Sequence, residues 1–198
     1  MGCSSPPNTK ESIQEKISKL RQLKNSVSSS IEINKSKIQK IEEEIQRLDT
    51  AIKVGEDDLR QNQHSYSEQE IKLKGKKLFD LQKDRQRLQK SLNLTSANNE
   101  NLKNNLAMIE SKIDELTNYI QLHAGDKVMK EIGNIDTGDA LQKNIAEVLR
   151  QQQKDDEQLG ILEAGNRAAN AGLGINNADD YLKQILGGNG TSGAPPHY

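Results

Sequence analysis

The feature that most constrains this chain is the position of its prolines. All four lie near the ends of the 198 residues, at Pro6, Pro7, Pro195 and Pro196. Proline interrupts helices because it lacks an amide hydrogen and its ring clashes with the preceding turn. The chain between these prolines can therefore form very long helices. Because only 32% of the residues are hydrophobic and five are aromatic, extended helical pairing is favoured over a large globular core.

Apolar residues recur at alternating steps of three and four along the first part of the chain. Ten of twelve such positions are apolar, which is the pattern of a coiled-coil seam. It predicts a helix from about Thr9 to Lys53, stopped at Gly55 and followed by an acidic helix start. The twelve positions are Ile13, Ile17, Leu20, Lys24, Val27, Ile31, Asn34, Ile38, Ile41, Ile45, Leu48 and Ile52.

A second seam of this kind has ten apolar residues in thirteen positions and a different heptad phase. It predicts a second helix that Gly75 weakens locally and that ends at Gly125. Since few residues separate the two helices, the simplest arrangement over residues 9–124 is a long antiparallel hairpin. The thirteen positions are Leu78, Leu81, Arg85, Leu88, Leu92, Thr95, Asn99, Leu102, Leu106, Ile109, Ile113, Leu116 and Ile120.

The remaining segments complete an all-α prediction. Residues 125–160 are predicted to form short helices, among them one from Asp139 to Leu159. Recurring glycines predict a flexible linker over residues 161–176. An acidic amphipathic helix is predicted over residues 177–186, capped by Asn177 and ended by Gly187. Residues 1–8 and 187–198 are predicted to be disordered.

Several function classes find no support in the sequence. The chain has one cysteine and three scattered histidines, which offer no metal-ligand spacing. Neither a phosphate-binding loop nor a serine–histidine–acid context is present, so we expect no enzymatic activity and no cofactor. The net charge of −1 and the lack of aromatic residues among the lysines argue against nucleic acid as a partner.

The first residues carry a lipidation signal. Removal of Met1 would expose Gly2 for myristoylation, and Cys3 beside it is a site for palmitoylation. The usual pattern has Ser or Thr where Pro6 stands. No apolar run is long enough to cross a bilayer and no signal peptide is evident, so we expect a protein of the cytoplasm.

Two stretches are rich in basic residues. Residues 10–40 carry 8 basic against 3 acidic side chains, and residues 72–90 carry 8 against 2. Such charge is consistent either with a solvated coiled-coil face or with binding to acidic membrane lipids.

The order of these elements resembles the ESCRT-III subunits, the charged multivesicular body proteins. The resemblance rests on EQEIKLKGKKLFDLQKDRQRLQKSL leading into NLAMIESKIDEL, on GDKVMKEIGNIDTGDALQKNIAEVLRQQQKDDEQL and on the acidic NNADDYLKQIL. It spans roughly residues 10–186. Glycine at position 2 is most like the myristoylated member of that family.

The resemblance implies a subunit that assembles on endosomal membranes for multivesicular body sorting and vesicle budding. It implies that a basic set faces acidic lipid, that residues 10–53 contact an ESCRT-II-like complex, and that other ESCRT-III-like subunits are partners. The C-terminal helix would fold back on the hairpin and hold it closed. The implied lipid-facing residues are Lys10, Lys16, Lys19, Arg21 and Lys24, and the implied autoinhibitory residues are Asp179, Asp180, Leu182, Ile185 and Leu186.

The chain departs from the family in its last residues. Family members end in a motif that recruits an AAA ATPase, whereas residues 187–198 are short and glycine-rich and Ile185 stands where a basic residue is usual, which puts ATPase binding in doubt. The sequence therefore predicts an acylated ESCRT-III-like subunit on the cytosolic face of endosomal membranes. The alternative is an acylated coiled-coil tether or SNARE-like protein.

Overall fold

The computed structural model describes residues 9–125, 135–165 and 178–187, with the side chains of all but residues 158–165. The all-α prediction is confirmed, because this part of the chain contains helices and turns but no strand. The described residues form four α-helices, the first of them long, and one short 3-10 turn at Gln63–Ser65. The α-helices are α1 Lys10–Asn62, α2 Glu68–Leu122, α3 Asp139–Gly165 and α4 Ala178–Gly187.

The predicted end of the first helix at Gly55 is wrong, because α1 continues to Asn62. A β-carbon built on Gly55 would lie 2.5 Å from Cδ2 of Leu78 in α2, so glycine is needed for close helix approach. A glycine inside a helix costs only about 1 kcal/mol relative to alanine. The acidic residues expected to start a new helix instead support the last turns of α1, where Arg60 contacts Glu56 and Asp57 at 3.2 and 3.3 Å.

The second helix begins at a capping box that the sequence analysis missed. The backbone amide of Ser67 donates to Oε2 of Glu70 at 2.7 Å, and the amide of Glu70 donates to Oγ of Ser67 at 3.3 Å. This reciprocal pair satisfies amides that lack partners in the first turn. The local signal was Ser-x-x-Glu at residues 67–70. Gly75 does not interrupt α2, which is continuous to Leu122.

The linker prediction also needs correction at its start. The third helix was expected to end at Leu159, yet α3 extends through Gly160 to Gly165 and includes five residues assigned to the linker. One glycine costs a helix only about 1 kcal/mol relative to alanine, so Gly160 does not stop α3. The rest of the predicted linker, residues 126–134, the predicted cap Asn177 and the terminal segments 1–8 and 188–198 lie outside the described residues. Gly187, which was predicted to be disordered, is the last residue of α4.

The chain divides into two compact units, and both α1 and α2 contribute to each. Of the described residues, unit 1 comprises 9–37, 95–125 and 135–164, and unit 2 comprises 38–94, 165 and 178–187. The burial predicted for the two seams is confirmed, because each of their positions is buried or half-buried. The polar seam residues Asn34, Thr95 and Asn99 are also buried, with exposures of 1, 6 and 4%.

Unit 1 is a three-helix core. Residues of α1 and α2 supply most of it, and α3 adds Ile145. Ion pairs at its surface link α1 to the other two helices: Lys24 to Glu110 at 2.8 Å, Lys16 to Asp139, and Lys37 to Asp156 at 2.5 Å. The buried members of the core are Ile13, Ile17, Leu20, Val27, Ile31, Leu102, Ile109, Ile113, Leu116 and Ile145.

Unit 2 joins the end of α1 to the start of α2 around the carboxylate of Asp58. This carboxylate accepts hydrogen bonds from Lys74 and Tyr66 at 2.8 Å and from Asn62 at 2.9 Å. The Lys74 ammonium also lies 4.4 Å from the Tyr66 ring centroid. The hydrogen bond from Lys74, helped by those from Asn62 and Tyr66, lowers the pKa of Asp58 to about 2. One carboxylate therefore connects α1, the turn and α2.

We predict that Asp58→Asn lowers the unfolding temperature at about pH 7, because Lys74 loses its charged partner. The pKa of Asp58 falls from 3.8 to about 2 on folding, so its stabilisation is present above 3.8 and disappears as the pH drops through about 2. Melts followed by circular dichroism should therefore differ at neutral pH and converge near pH 2. Glu42→Gln, at an exposed position of α1, is the control. Equal midpoints for wild type and Asp58→Asn at neutral pH would contradict the role of this carboxylate.

Candidate functional site

The candidate site is the groove of unit 2 that receives α4. Two residues of α4 are almost fully covered, Tyr181 at 5% and Ile185 at 4% exposure, and Leu182 and Leu186 are half-buried. Tyr181 and Ile185 are four residues apart, as are Leu182 and Leu186, so all four lie on one helix face. The predicted apolar residues Leu182, Ile185 and Leu186 thus pack as expected. Tyr181 was missed, although its position four residues before Ile185 was a usable signal.

Both long helices build the apolar floor of this groove. Leu59 comes from α1, while Leu78 and Phe79 come from α2, and all three are buried with Tyr181 and Ile185. The rings of Phe79 and Tyr181 are tilted by 43° with centroids 6.1 Å apart, a favourable aromatic geometry. Because α1 and α2 both contribute, the groove exists only while these two helix ends are paired.

Gly75 sets how closely α4 approaches α2. A β-carbon on Gly75 would lie 2.9 Å from Cδ1 and 3.3 Å from Cβ of Leu182. The missing side chain therefore leaves a hollow that the Leu182 side chain occupies. Gly75 was predicted to weaken the helix locally. In the structure it lies inside α2 and forms part of the contact with α4.

A polar contact at the edge of the groove orients Tyr181. Its hydroxyl donates to Oε1 of Glu56 at 2.5 Å and accepts from Nε2 of Gln82 at 3.3 Å. Burial, assisted by the bond to Glu56, raises the pKa of Tyr181 to about 12. The phenol therefore keeps its proton at neutral pH and remains a donor. A cavity of about 340 Å³ lies beside it, lined in part by Arg60 and Gln184, so the polar edge is not fully packed.

The acidic residues of α4 occupy its first turn, where the helix dipole favours negative charge. Asp180 lies 3.8 Å from Lys183 within α4. The pKa of Lys72 in α2 is raised, chiefly by its hydrogen bond to Glu68 and to a lesser extent by the charge of Asp179. These groups are solvent-exposed, so their attraction contributes little to docking compared with the apolar contacts.

The five basic residues that the family resemblance assigned to lipid all lie on α1 in unit 1. Lys16 pairs with Asp139, Lys19 with Glu15 at 2.8 Å and Lys24 with Glu110 at 2.8 Å. Arg21 is exposed and Lys10 is half-buried. The structure therefore does not bring the five together as one unpaired basic patch.

A more regular basic surface runs along α2 in unit 2. Its five members are separated by steps of four, seven, four and three residues, which keeps them on one helix face. The ammonium of Lys83 lies 4.4 Å from the ring centroid of Phe79, so this surface borders the α4 groove. Two of its members are paired within α2, Lys72 with Glu68 at 2.8 Å and Arg87 with Asp84 at 3.2 Å, so part of its charge is compensated. We call this surface the α2 basic stripe: Lys72, Lys76, Lys83, Arg87 and Lys90.

The lipidation candidates Gly2 and Cys3 lie outside the described residues. Within the described part of the chain, no helix combines the length and apolar character needed to span a membrane, and no cluster of potential metal ligands occurs. Comparison with known proteins found no matching family model, curated protein or solved structure. The surfaces considered for function are the groove that receives α4 and the α2 basic stripe.

We predict that Gly75 and Leu182 are energetically coupled. Gly75→Ala should open the α4 contact because its methyl meets Leu182, although alanine itself favours the helix. In a Leu182→Ala background, the same substitution should lower the free energy of α4 opening by a smaller amount. The difference between the two backgrounds is a coupling energy of about 1 kcal/mol. Hydrogen–deuterium exchange of the α4 amides measures both effects, and the helix-propensity term cancels in the cycle. Additive effects of the two substitutions would contradict direct packing.

Proposed function

We propose that this protein is an ESCRT-III-like membrane-remodelling subunit, in which α4 closes a long helical hairpin and its release permits assembly. The observation that carries this proposal is the docking of an acidic, ten-residue helix into a groove built by both α1 and α2. The groove borders the α2 basic stripe, so one surface combines a releasable helix with positive charge.

The hairpin is inferred from the order of contacts inside each unit. In unit 2, Asp49 contacts Arg85 and the later residue Asp58 contacts the earlier Lys74. In unit 1, Lys24 contacts Glu110. In all three pairs the two residue numbers add up to between 132 and 134. Within each unit, these contacts fit an antiparallel pairing of α1 and α2.

The strength of the α4 contact suits a reversible closure. Burying Tyr181 and Ile185 contributes roughly 1.5–3 kcal/mol each before entropy losses are subtracted. A helix of ten residues is marginal in water by itself, so ordering α4 opposes part of this gain. The net stabilisation is therefore small enough for a membrane or a second subunit to compete with it. Release would expose Phe79 and Leu78 beside the α2 basic stripe.

Membrane attachment is proposed to combine lipidation with positive charge. One myristoyl chain gives only marginal binding, and each basic residue near an acidic leaflet adds about 1 kcal/mol. Acylation at Gly2 and Cys3 together with the α2 basic stripe would therefore hold the protein at the cytosolic face of endosomal membranes. Repeated contacts between copies then supply the avidity for assembly. An ESCRT-II-like complex remains a proposed partner for residues 10–53.

The competing function is an acylated coiled-coil tether or SNARE-like protein. Such a protein needs an apolar seam available to helices of other molecules. The seam positions of α1 and α2 are already covered within the single chain, which favours the closed-subunit proposal. A tether would form discrete dimers or bundles, which light scattering distinguishes from extended polymers.

We predict that removing α4 makes the protein more prone to assemble. Deletion of residues 177–198, or Ile185→Asp in the full chain, should increase sedimentation with phosphatidylserine liposomes several-fold and yield polymers visible by electron microscopy. Gly187→Asp, which adds the same charge at the exposed last residue of α4 where a side chain meets nothing within 4 Å, should behave like the wild type. Unchanged sedimentation of both altered proteins would count against closure by α4.

We also predict that Gly2→Ala releases the protein from membranes in cells. Without the myristoyl chain, exposed basic residues alone bind the leaflet weakly. Fractionation should show a shift from the membrane pellet to the soluble fraction, whereas Ser4→Ala should leave the distribution unchanged. Retention of Gly2→Ala in the pellet would refute acylation at this position.

A further inference from the structure

A layer of three side-chain amides lies inside unit 1. Asn34 of α1 is 1% exposed, Asn99 of α2 is 4% exposed, and Gln152 of α3 is half-buried. Nε2 of Gln152 donates to Oδ1 of Asn34 at 2.8 Å. Each of the three helices thus contributes one carboxamide to unit 1, whose buried hydrophobic cluster is built from isoleucine, leucine and valine.

The two asparagines lie at the same level of the helix pair. Starting from the contact between Lys24 and Glu110, ten residues forward along α1 reach Asn34, and eleven residues back along α2 reach Asn99. At about 1.5 Å per residue, these steps cover equal distances to within one residue. Asn34 and Asn99 are therefore opposite each other in the antiparallel register of unit 1.

Several polar atoms of these three amides lack a hydrogen-bond partner. Among the described residues, Nδ2 of Asn34 and Oδ1 of Asn99 are buried without a hydrogen-bond partner, and so is Oε1 of Gln152. The first two are a donor and an acceptor, so they are chemically complementary. An unpaired buried polar group costs free energy, whereas apolar residues of similar shape do not carry that cost. The layer must therefore be explained by something other than stability.

We infer that Asn34, Asn99 and Gln152 are specificity-determining residues that fix the register of α1 against α2 and select α3 as the third helix. Buried polar residues at seam positions have this effect in coiled coils, where they specify register at a cost in stability. A slip of one heptad would place Asn34 against Leu92 or Leu106. A carboxamide would then face a leucine, and the complementary donor and acceptor would separate.

Ion pairs alone cannot provide this selectivity. Lys16 with Asp139 and Lys37 with Asp156 join α1 to α3 at partly exposed positions. Exposed ion pairs are weak and tolerate displacement because long side chains adapt. The apolar contacts of Ile145 would likewise accept several registers. Among these contacts, the pair of carboxamides at Gln152 and Asn34 is the one whose partners must match in both position and hydrogen-bonding type.

The test uses the full chain with Asn34→Leu and Asn99→Leu combined, in a Cys3→Ser background. Spin labels on cysteines replacing Gln14 and Ala97, both exposed and far apart along the axis of the helix pair, report the register of α1 against α2. The wild type should give one distance between the labels. The double variant should add a second population shifted by roughly 9 Å, because a slip of one heptad moves α1 about 10 Å along α2. The double variant should also melt at a higher temperature than the wild type.

Thr95→Val is the matched control, because it removes a buried polar seam residue of α2 about one turn from Asn99 and leaves the amide layer intact. It should keep the single distance. A double variant that also keeps a single distance, or that melts at a lower temperature than the wild type, would overturn the inference. These measurements need no membrane, so they are independent of the proposed function.

A second variant tests the selection of α3. Gln152→Leu should increase hydrogen exchange of the amides over residues 139–157 by about fivefold, because α3 loses its hydrogen bond to the layer. The distance between α1 and α2 should stay unchanged in this variant. Unchanged exchange in α3 would contradict its selection by Gln152.

Discussion

Burial of the apolar stripes of α1 and α2 is the interaction on which the other contacts depend. Each isoleucine or leucine removed from water contributes roughly 1.5–3 kcal/mol, and such residues recur along both helices. The third and fourth helices are placed on surfaces that this pairing creates. Ile145 of α3 joins a core made from both stripes, and Tyr181 of α4 enters a groove formed by Leu59, Leu78 and Phe79. Loss of the pairing would remove both docking surfaces.

The two added helices both dock through apolar side chains and differ in their polar contacts. In unit 2, α4 packs through apolar and aromatic contacts around Tyr181 and Ile185, with a hydrogen bond to Glu56. In unit 1, α3 buries Ile145 and packs Leu141, Val148 and Leu149 against the same core. It adds ion pairs with Lys16 and Lys37 and a hydrogen bond to Asn34. Because salt screens exposed ion pairs, this polar part of the α3 contact weakens as the ionic strength rises.

Glycine explains most of the differences between the predicted and observed helices. Gly55, Gly75 and Gly160 all lie inside helices, although the sequence analysis treated each as a stop or weak point. The local penalty of about 1 kcal/mol is smaller than the gain from burying one leucine. At Gly55 and Gly75 that leucine is identified, as Leu78 and Leu182 respectively. The sequence alone could not reveal this compensation, because the leucine belongs to another part of the chain.

The sequence by itself determined the helical class, the two seams and the apolar face of α4. These features follow from periodicity, which depends only on the geometry of a single helix. The capping box at Ser67 and the role of Tyr181 were also within reach of local patterns. Only the three-dimensional packing shows that Gly75 receives Leu182, that Lys16 and Lys24 are paired with carboxylates, and that Gln152 donates to Asn34. Each of these contacts joins residues far apart in sequence, so its energy depends on packing that no local pattern encodes.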